Sequence, residues 1–440
     1  MILNMSGGGG AKINGIIEQY KVQAGKNISA GDFVEFLSQQ WGTKTKLANS
    51  SVSTSYIGCS AVLLNSSTAV VIYKGSTYWF AVAVSISASV ITAGTPLAFS
   101  RRSLGSSNYN IGASAVRLSD TKAFVSFSQQ EYGYYYQETN CIFLTVSGTT
   151  ISASNFVVVG GGTLQFHKSV PLSDTKAAVF YVNESGYNGE LYCKIATISG
   201  TNISLSSATM IVTTSIRPVG LNVEKLSDGK FIVAYGDSNY NSCNALIVTI
   251  NGETVSAGTP CRLANQNINW FSLYTVVLTS DKAAVFYSFG SNAQNKNMCA
   301  ILTISGTTIS LQSNTELSSG ASNLICAISG YAKSASEIYL LVGKTTDGIP
   351  YEMEVSVVNN MAILDSDNPQ SLVDNMKYVV IAKNDDIALA CFPYSASDMN
   401  PMAFHKSLTQ AVVPYASKIN GVSKAGGSGG STIEVYVPNS

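Results

Sequence analysis

The chain has 440 residues with 26 basic and 26 acidic side chains, so its formal net charge is zero, and only 12% of its residues are charged. A protein that binds the nucleic acid backbone needs a basic surface, so we expect no nucleic acid partner. No apolar run is long enough to span a bilayer as a helix, so we expect no membrane span. The start of the sequence, MILNMSGGGG, lacks the basic and apolar regions of a signal peptide.

The two ends of the chain differ from the rest and are both rich in glycine. Residues 1–48 contain the run SGGGG and then GDFVEF at 31–36, and residues 414–440 contain AGGSGGS and then TIEVYV at 432–437. Alternation of apolar and polar residues over such short segments predicts strands. We therefore predict that both ends join into one small terminal β-module, formed within one chain or between chains. The alternative is that both ends are loose tails.

Residues 49–413 contain an internal repeat with a period close to 54 residues. The turn motif LSDTKA at 118–123 recurs at 172–177, then as LSDGK at 226–230 and as LTSDKA at 278–283. Weaker copies before and after these four units bring the predicted number of units to seven. A fixed period of this length indicates a repeat architecture.

A second motif follows the first in each unit. It reads TVSGTTIS at 145–152, TISGTNIS at 197–204, TINGETVS at 249–256 and TISGTTIS at 303–310. Asp, Asn and Gly between β-branched runs are typical of tight hairpin turns, because these residues accept the positive φ angles that such turns require. Each unit therefore has two hairpin turns.

The strands of one unit can be predicted from the segments between these turns. They are SAVRL at 114–118, AFVSFS at 123–128, CIFLTV at 141–146 and TISASNFVVV at 150–159. Four antiparallel strands per repeat of about 50 residues are typical of one blade of a β-propeller. The predicted fold is all-β: a seven-bladed β-propeller of four-stranded blades over 49–413, with the terminal β-module beside it.

The cysteines follow the same repeat. Cys141, Cys193 and Cys299 each precede the glycine of the second turn by seven residues. Equivalent positions in neighbouring blades lie too far apart for a disulfide, which needs Cα atoms within about 7 Å. We therefore expect these cysteines to be small core residues rather than bridged pairs.

The loops divide into two classes that antiparallel topology places on opposite faces. The short, repeated turns lie on one face, and the variable connections, such as 128–140, 182–192 and 236–244, lie on the other. These variable loops are rich in Tyr, Asn and Gln, which suit recognition of sugars or proteins. The predicted ligand-binding residues are Tyr132, Tyr134, Tyr135, Tyr136, Tyr187, Tyr240 and Asn239. The alternative is that the tyrosines only pack between blades.

The evidence for catalysis in the sequence is weak. Only two histidines occur, His167 and His405, and a single His beside an apolar strand is usually structural. No metal-ligand spacing, nucleophile motif or phosphate-binding loop is present, so we predict no enzyme, no catalytic residue, no metal and no cofactor. A propeller glycosidase or depolymerase acting on surface glycans is the alternative. Its two carboxylates would come from the loop acids Glu131, Glu138, Glu184 and Asp237.

The ends of the chain resemble a known class of proteins. ILNMSGGGGA at 2–11, ISAGDFVEF at 28–36 and INGVSKAGGSGGSTIEVYVP at 419–438 are similar to terminal modules of phage and prophage tail-associated proteins of Gram-positive hosts. They also resemble small capsid-decoration domains. The chain departs from the tail-fibre pattern in lacking a collagen-like or coiled-coil shaft, which leaves its place on a particle open.

This resemblance implies a non-enzymatic virion structural protein of the tail-fibre or baseplate type, with a capsid decoration or head-fibre protein as the alternative. The terminal module would then bind other virion proteins, and the variable loops would bind a host cell-surface carbohydrate or protein. A homo-oligomer is compatible with this function. The protein would be made in the host cytoplasm and located on the virion.

Overall fold

A computed structural model describes residues 15–22, 27–28, 33–36, 45–48, 59–75, 78–87, 90–100, 112–130, 137–162, 166–185, 188–216, 218–237, 241–266, 268, 273–289, 296–317, 325–344, 350–369, 380–383, 387–392, 402–407, 411–414, 421–423, 427–428 and 432–438. The regular elements within these ranges are all β-strands. None of the described residues belongs to a helix long and apolar enough to cross a membrane.

The chain divides into two compact units. One comprises residues 1–41, 385–387 and 406–440, and the other comprises 42–384 and 388–405. The domain ranges predicted from the sequence, 1–48, 49–413 and 414–440, stay a prediction.

The strands are numbered in chain order. The first four are β1 (Gly15–Val22), β2 (Asn27–Ile28), β3 (Phe33–Phe36) and β4 (Thr45–Lys46). Sheet 1 contains β5 (Cys59–Leu63), β6 (Thr68–Lys74), β7 (Trp79–Ser87), β8 (Val90–Ala93) and β9 (Leu97–Ala98). Sheet 2 contains β10 (Ala113–Ser119), β11 (Lys122–Gln130), β12 (Gln137–Ser147), β13 (Thr150–Ala153) and β14 (Val157–Gly162).

Sheets 3 and 4 have the same five-stranded plan. Sheet 3 contains β15 (His167–Ser173), β16 (Lys176–Ser185), β17 (Asn188–Ser199), β18 (Asn202–Leu205) and β19 (Thr209–Ile216). Sheet 4 contains β20 (Pro218–Ser227), β21 (Lys230–Asp237), β22 (Ser242–Asn251), β23 (Thr254–Ala257) and β24 (Cys261–Ala264).

Sheets 5 and 6 have four strands each. Sheet 5 contains β25 (Tyr274–Thr279), β26 (Lys282–Phe289), β27 (Lys296–Ser305) and β28 (Thr308–Glu316). Sheet 6 contains β29 (Ile325–Ala332), β30 (Glu337–Lys344), β31 (Pro350–Val358) and β32 (Met361–Pro369).

The remaining strands belong to sheet 7 and to the terminal unit. They are β33 (Val380–Lys383), β34 (Ile387–Phe392), β35 (Met402–Ser407), β36 (Ala411–Pro414), β37 (Gly421–Ser423), β38 (Gly427–Ser428) and β39 (Thr432–Pro438). Sheet 7 has the order β33-β34-β35-β4, so its outermost strand comes from the N-terminal part of the chain. β4 pairs antiparallel with β35, Thr45 opposite Ala403.

The terminal unit contains a closed β-barrel built from both ends of the chain. Its strand order is β1-β36-β3-β37-β39. The longest pairing joins β1 to β39 antiparallel, from Gly15 opposite Pro438 to Lys21 opposite Thr432. The two strands predicted from alternation are β3 and β39. The prediction of a β-module formed by the N- and C-terminal segments is therefore confirmed.

The turns within the sheets follow the repeated motifs. Gly148, Gly200 and Gly306 have φ angles of 60°, 60° and 58°, and each follows the third strand of its sheet. In sheet 6, where the motif is degenerate, Asn359 and Asn360 have φ angles of 51° and 61° at the same turn. Glycine adopts positive φ angles most easily, and Asn comes next. The turn geometry therefore requires Gly or Asn at this position in each of these repeats.

The fourth predicted strand is divided in sheets 1–4. In sheet 2, β13 and β14 both pair with β12, and Ser154 lies between them. Ser154 bonds Phe143 twice: its amide donates to the Phe143 carbonyl, and its hydroxyl accepts from the Phe143 amide at 3.0 Å. This local interruption of the ladder ends one strand and starts the next, which alternation alone did not predict.

The first strands of the sheets surround the centre of the larger unit. They contact one another in the cyclic order β5, β10, β15, β20, β25, β29, β33 and back to β5. Apolar cores lie between adjacent sheets, for example around Phe180 of sheet 3 and Phe231 of sheet 4. The second strands are buried on both faces, as at Val70, Val71 and Ile72. This explains why their sequences are continuously apolar.

The all-β fold of antiparallel sheets is confirmed: three sheets have four strands, and in the other four the fourth strand is divided in two. The described residues hold seven such sheets, and the number of blades in the complete chain stays a prediction. Among the described cysteines, seven are free thiols and all but Cys261 are buried.

Candidate functional site

The repeats can be aligned on the lysines that follow the first turn, Lys122, Lys176, Lys230 and Lys282. Six residues before each lysine stand Val116, Val170, Glu224 and Val276. Eight residues before each lysine stand Ser114, Lys168, Asn222 and Tyr274. All eight positions lie on the first strands of sheets 2–5. One glutamate therefore replaces a valine, and a lysine and a tyrosine replace short polar side chains.

The short polar side chains have a structural role. The Ser114 hydroxyl accepts a hydrogen bond from the Ser169 amide of the next sheet at 3.0 Å, and Asn222 accepts one from the Thr275 amide at 3.2 Å. Ser60 and Ser329 accept equivalent bonds at 2.9 and 2.8 Å. A side chain at this position therefore extends to the next sheet and pairs a buried backbone amide.

Tyr274 extends to the next sheet in the same way but has other partners, and Lys168 acts on the next sheet through its charge. The Tyr274 hydroxyl donates to the Gly330 carbonyl at 3.0 Å and is hydrogen-bonded to Ser329. Lys168 interacts electrostatically with Glu224 on the first strand of sheet 4. Glu224 in turn interacts electrostatically with Tyr274 on sheet 5. The three residues form one group across three consecutive sheets, which we call the central triad.

Burial determines the ionisation of the central triad. It raises the pKa of the Glu224 carboxyl, and the positive charge of Lys168 opposes this rise in part. It also raises the pKa of Tyr274 to about 12, with a further contribution from the negative charge of Glu224. All three side chains remain partly exposed to solvent.

This arrangement combines three functions that acid–base chemistry requires. A carboxylate of raised pKa is a stronger general base, a phenol that stays protonated is a proton donor, and an ammonium group stabilises a negative charge on a ligand. Perturbed pKa values in one place are typical of functional sites.

His167 lies beside the central triad but is bonded on both ring nitrogens. Nε2 donates to the Gly112 carbonyl at 3.0 Å, because a carbonyl can only accept. Nδ1 therefore accepts from the Ser126 hydroxyl at 3.2 Å, and that hydroxyl lies 2.7 Å from the Ser169 hydroxyl. His167 thus joins sheets 2 and 3 as a neutral ring.

Acidification is expected to weaken the protein through His167. Burial lowers the pKa of His167 from its ordinary 6.5 to about 4. A group whose pKa is lower in the folded state than in the unfolded state stabilises the folded protein fully at pH values above its unfolded pKa. For His167 this contribution is lost as the pH falls from 6.5 through 4. The free energy of unfolding of the wild type relative to His167→Gln should therefore fall by on the order of 3 kcal/mol over this range. Denaturant titrations of both proteins at several pH values measure this difference, and a difference independent of pH would contradict the neutral ring.

The ligand-binding residues predicted from the sequence lie outside the described residues. These are Tyr132, Tyr134, Tyr135, Tyr136, Tyr187, Tyr240 and Asn239, and their role stays a prediction. Of the four predicted carboxylates, Glu131 also lies outside the described residues, as does the side chain of Glu184. Glu138 lies on β12 of sheet 2, and Asp237 ends β21 of sheet 4 and is buried. Sheet 3 lies between these two acids, so the structure does not pair them.

The central triad was missed by reasoning from the sequence, although a signal was present. Glu224 occupies a column that otherwise holds Val116, Val170 and Val276, and a charged residue in an apolar column of a repeat indicates a special role. Among the described residues, no three His, Cys, Asp or Glu side chains are close enough to hold a metal ion.

Solved structures similar to this one include polysaccharide lyases. An ulvan lyase of polysaccharide lyase family PL25 superimposes with a TM-score of 0.51 at 8% identity, covering 84% of this chain and 95% of its own. The same enzyme bound to -[GlcA(1-4)Rha3S]- gives 0.50 at 7% identity over the same shares. Polysaccharide lyase Uly1 gives 0.50 at 8% identity, covering 88% of this chain and 99% of its own. No protein-family profile and no curated protein matches the chain.

These similarities establish the propeller-like fold and require a correction. The sequence predicted a non-enzymatic virion structural protein, and this prediction is contradicted: the three structures above are polysaccharide lyases, which fits the alternative of a glycan-degrading propeller enzyme better. The reason is that the prediction depended on the loops and on the glycine-rich ends, whereas Lys168, Glu224 and Tyr274 lie on the first strands of their sheets. The resemblance of the ends to phage tail modules, and the virion location and partners inferred from it, stay predictions.

Proposed function

We propose that the protein is an enzyme that cleaves a polysaccharide containing uronic acid residues, with the central triad as its catalytic group. The observation that carries this proposal is the joint departure of Lys168, Glu224 and Tyr274 from the repeat. Three functional side chains replace structural ones at adjacent positions of three neighbouring sheets. The lyase activity of the enzymes with a similar fold supports the same reaction class.

The triad suits an elimination reaction. Glu224 as carboxylate removes the proton from the sugar carbon next to the uronate carboxyl group. The electron pair left on that carbon forms a double bond to the neighbouring ring carbon, and the bond from that neighbour to the glycosidic oxygen breaks. Tyr274 gives up its hydrogen bond to the Gly330 carbonyl and donates its phenolic proton to the leaving oxygen. Lys168 lies opposite the uronate carboxylate and stabilises the negative charge that develops there. The proton on Glu224 then returns to Tyr274.

Elimination fits the charges of the triad better than hydrolysis does. A glycosidase uses two carboxyl groups about 5–10 Å apart. The triad contains one carboxyl group, Glu224, together with a cation and a phenol. A cation is needed in elimination because the uronate carboxylate must lose part of its negative charge before the neighbouring proton becomes acidic.

Incubation of the protein with a panel of uronate-containing polysaccharides tests the proposal. An eliminase produces an unsaturated uronate at the new non-reducing end, which is followed by its ultraviolet absorbance and by mass spectrometry. A hydrolase produces new reducing ends without that absorbance and with the added mass of water. Formation of the unsaturated product is expected. If only new reducing ends form, the reaction is hydrolysis and the proposed elimination is wrong. The absence of any cleavage across the panel would overturn the proposed function.

A further inference from the structure

A second feature of the larger unit is a cleft between the outer strands of sheets 4 and 5. It has a volume of about 440 Å³, within the range of ligand sites, roughly 300–1,000 Å³. Its lining includes Arg262, Asn265, Gln266, Phe289, Met298 and Asn314. The first three lie on or just after β24, and the others on β26, β27 and β28. The cleft is therefore formed by both sheets.

The equivalent cleft between sheets 2 and 3 is filled. There the Lys194 ammonium group donates to the Val159 carbonyl at 2.7 Å and lies 5.8 Å from the centre of the Tyr181 ring. Tyr181 also stacks on Tyr192 with 5.9 Å between ring centres. One side chain therefore closes the space, and a pair of stacked rings packs below it.

Sheet 5 carries smaller or more flexible residues at the same positions. Tyr287 pairs with Met298 in the register in which Tyr181 pairs with Tyr192, so Met298 replaces the second ring. Two residues later, Ala300 stands where sheet 3 has Lys194. The space that Lys194 fills in one cleft is left open in the other.

The backbone carbonyl at the bottom of the open cleft has a different partner. Leu263 of sheet 4 is equivalent to Val159, and its carbonyl accepts from the Asn314 amide nitrogen at 2.9 Å. The Asn314 side-chain oxygen accepts from the Tyr287 hydroxyl at 2.8 Å. These two bonds fix the orientation of the amide, whose nitrogen carries a second hydrogen. The open cleft therefore has a positioned polar group in its wall.

The edge of the cleft also departs from the repeat. Val158 of sheet 2 and Met210 of sheet 3 occupy the position of Arg262 and are 42% and 41% exposed. Arg262 puts a permanent positive charge at this edge, where sheets 2 and 3 expose an apolar group. Inside the cleft, Phe289 is partly exposed and stacks on Tyr287 with 6.4 Å between ring centres.

We propose that this cleft binds one acidic sugar unit of an oligosaccharide, a uronate. The sugar ring lies against Phe289 and Met298, because an aromatic face and a thioether offer apolar surface to the C–H side of a ring. Arg262 pairs with the uronate carboxylate, for which its planar guanidinium group is well shaped. Asn265, Gln266 and Asn314 bond the hydroxyl groups. This site is separate from the central triad and does not depend on the proposed reaction.

Calorimetric titration with two matched disaccharides tests the site. Cellobiouronic acid and cellobiose differ only in a carboxylate in place of a hydroxymethyl group. The protein carries Glu224→Gln, so that no turnover disturbs the measurement. We expect the acidic disaccharide to bind and the neutral one to bind more weakly. Arg262→Met, which introduces the residue of sheet 3, should weaken binding of the acidic disaccharide roughly 10- to 100-fold, the value of a charged hydrogen bond, and should leave the neutral one nearly unchanged.

Two further variants complete the design. Phe289→Ala should weaken the binding of both disaccharides, because it removes the apolar surface against which the sugar ring lies. Met210→Ala, at the equivalent edge of sheet 3, is the control and should leave the affinity for both disaccharides unchanged. The proposal is overturned if cellobiouronic acid at ~10 mM, well above the Kd of a useful site, does not bind the protein, or if Arg262→Met leaves its affinity unchanged. Absence of cleavage by the wild-type protein across the polysaccharide panel, with this binding intact, would overturn the proposed function alone.

Discussion

Glu224→Gln is expected to lower the rate of polysaccharide cleavage by roughly 10²–10⁴-fold, the usual contribution of a general base. The amide keeps the size of the side chain but cannot accept the sugar proton. In the wild type the rate should rise with pH through the raised pKa of Glu224, because the base acts as the carboxylate. The measurement is the initial rate of unsaturated product formation over a range of pH.

The stability of the same variant separates catalysis from folding. Burial raises the pKa of Glu224, so the folded state binds its proton more tightly than the unfolded state does. The contribution of Glu224 to the free energy of unfolding is therefore fully present at pH values below its pKa in the unfolded state. It is lost as the pH rises through its pKa in the folded state. The Gln variant avoids this decline and should melt at neutral pH no lower than the wild type. Glu253 is an exposed glutamate of the same sheet, and Glu253→Gln is the control variant, which should keep the wild-type rate. If Glu224→Gln keeps full activity, the triad is not catalytic.

Trp79→Ala is expected to lower the free energy of unfolding by about 3–5 kcal/mol, the usual cost of truncating a large buried aromatic residue. Trp79 is fully buried at the start of β7 and packs edge-on against Phe127 of sheet 2, with 6.5 Å between ring centres. Its ring nitrogen donates to the Ser128 carbonyl at 2.9 Å. Truncation therefore creates a cavity between two sheets and removes a buried hydrogen bond.

The neighbouring tyrosine provides the control for this prediction. Tyr78 is 38% exposed, and Tyr78→Ala should change stability by about 0.5 kcal/mol or less. Denaturant titrations of both variants with equal slopes give the two values. Similar losses in the two variants would mean that Trp79 does not hold sheets 1 and 2 together as the contacts indicate.

The sequence by itself determined the fold class. The turn glycines, such as Gly148 and Gly306, and the apolar strands between them repeat at a nearly constant spacing. Each hairpin depends on interactions between residues close in the chain, so local patterns were sufficient to predict the strands. The alternating segments at 31–36 and 432–437 also predicted strands that the terminal barrel contains.

Only the tertiary structure decided which residues meet. Glu224 lies 56 residues after Lys168 and 50 residues before Tyr274, and nothing in the local sequence places the three together. They meet because adjacent sheets stack with their first strands in contact, so that a side chain on one first strand reaches the next. Pairing between distant parts of the chain likewise makes β4 the outer strand of sheet 7, next to β35.

The proposed function depends on these lateral contacts, and this is where prediction from the sequence failed. Tyrosine-rich loops at 128–140 favoured a binding surface, because loop composition is visible in a sequence. The electrostatic coupling of Glu224 to Lys168 and Tyr274 is not visible there, since it depends on which faces of neighbouring sheets lie against each other. Periodicity thus fixes the sheets, whereas the packing between sheets determines where charges are buried and which of them can act together.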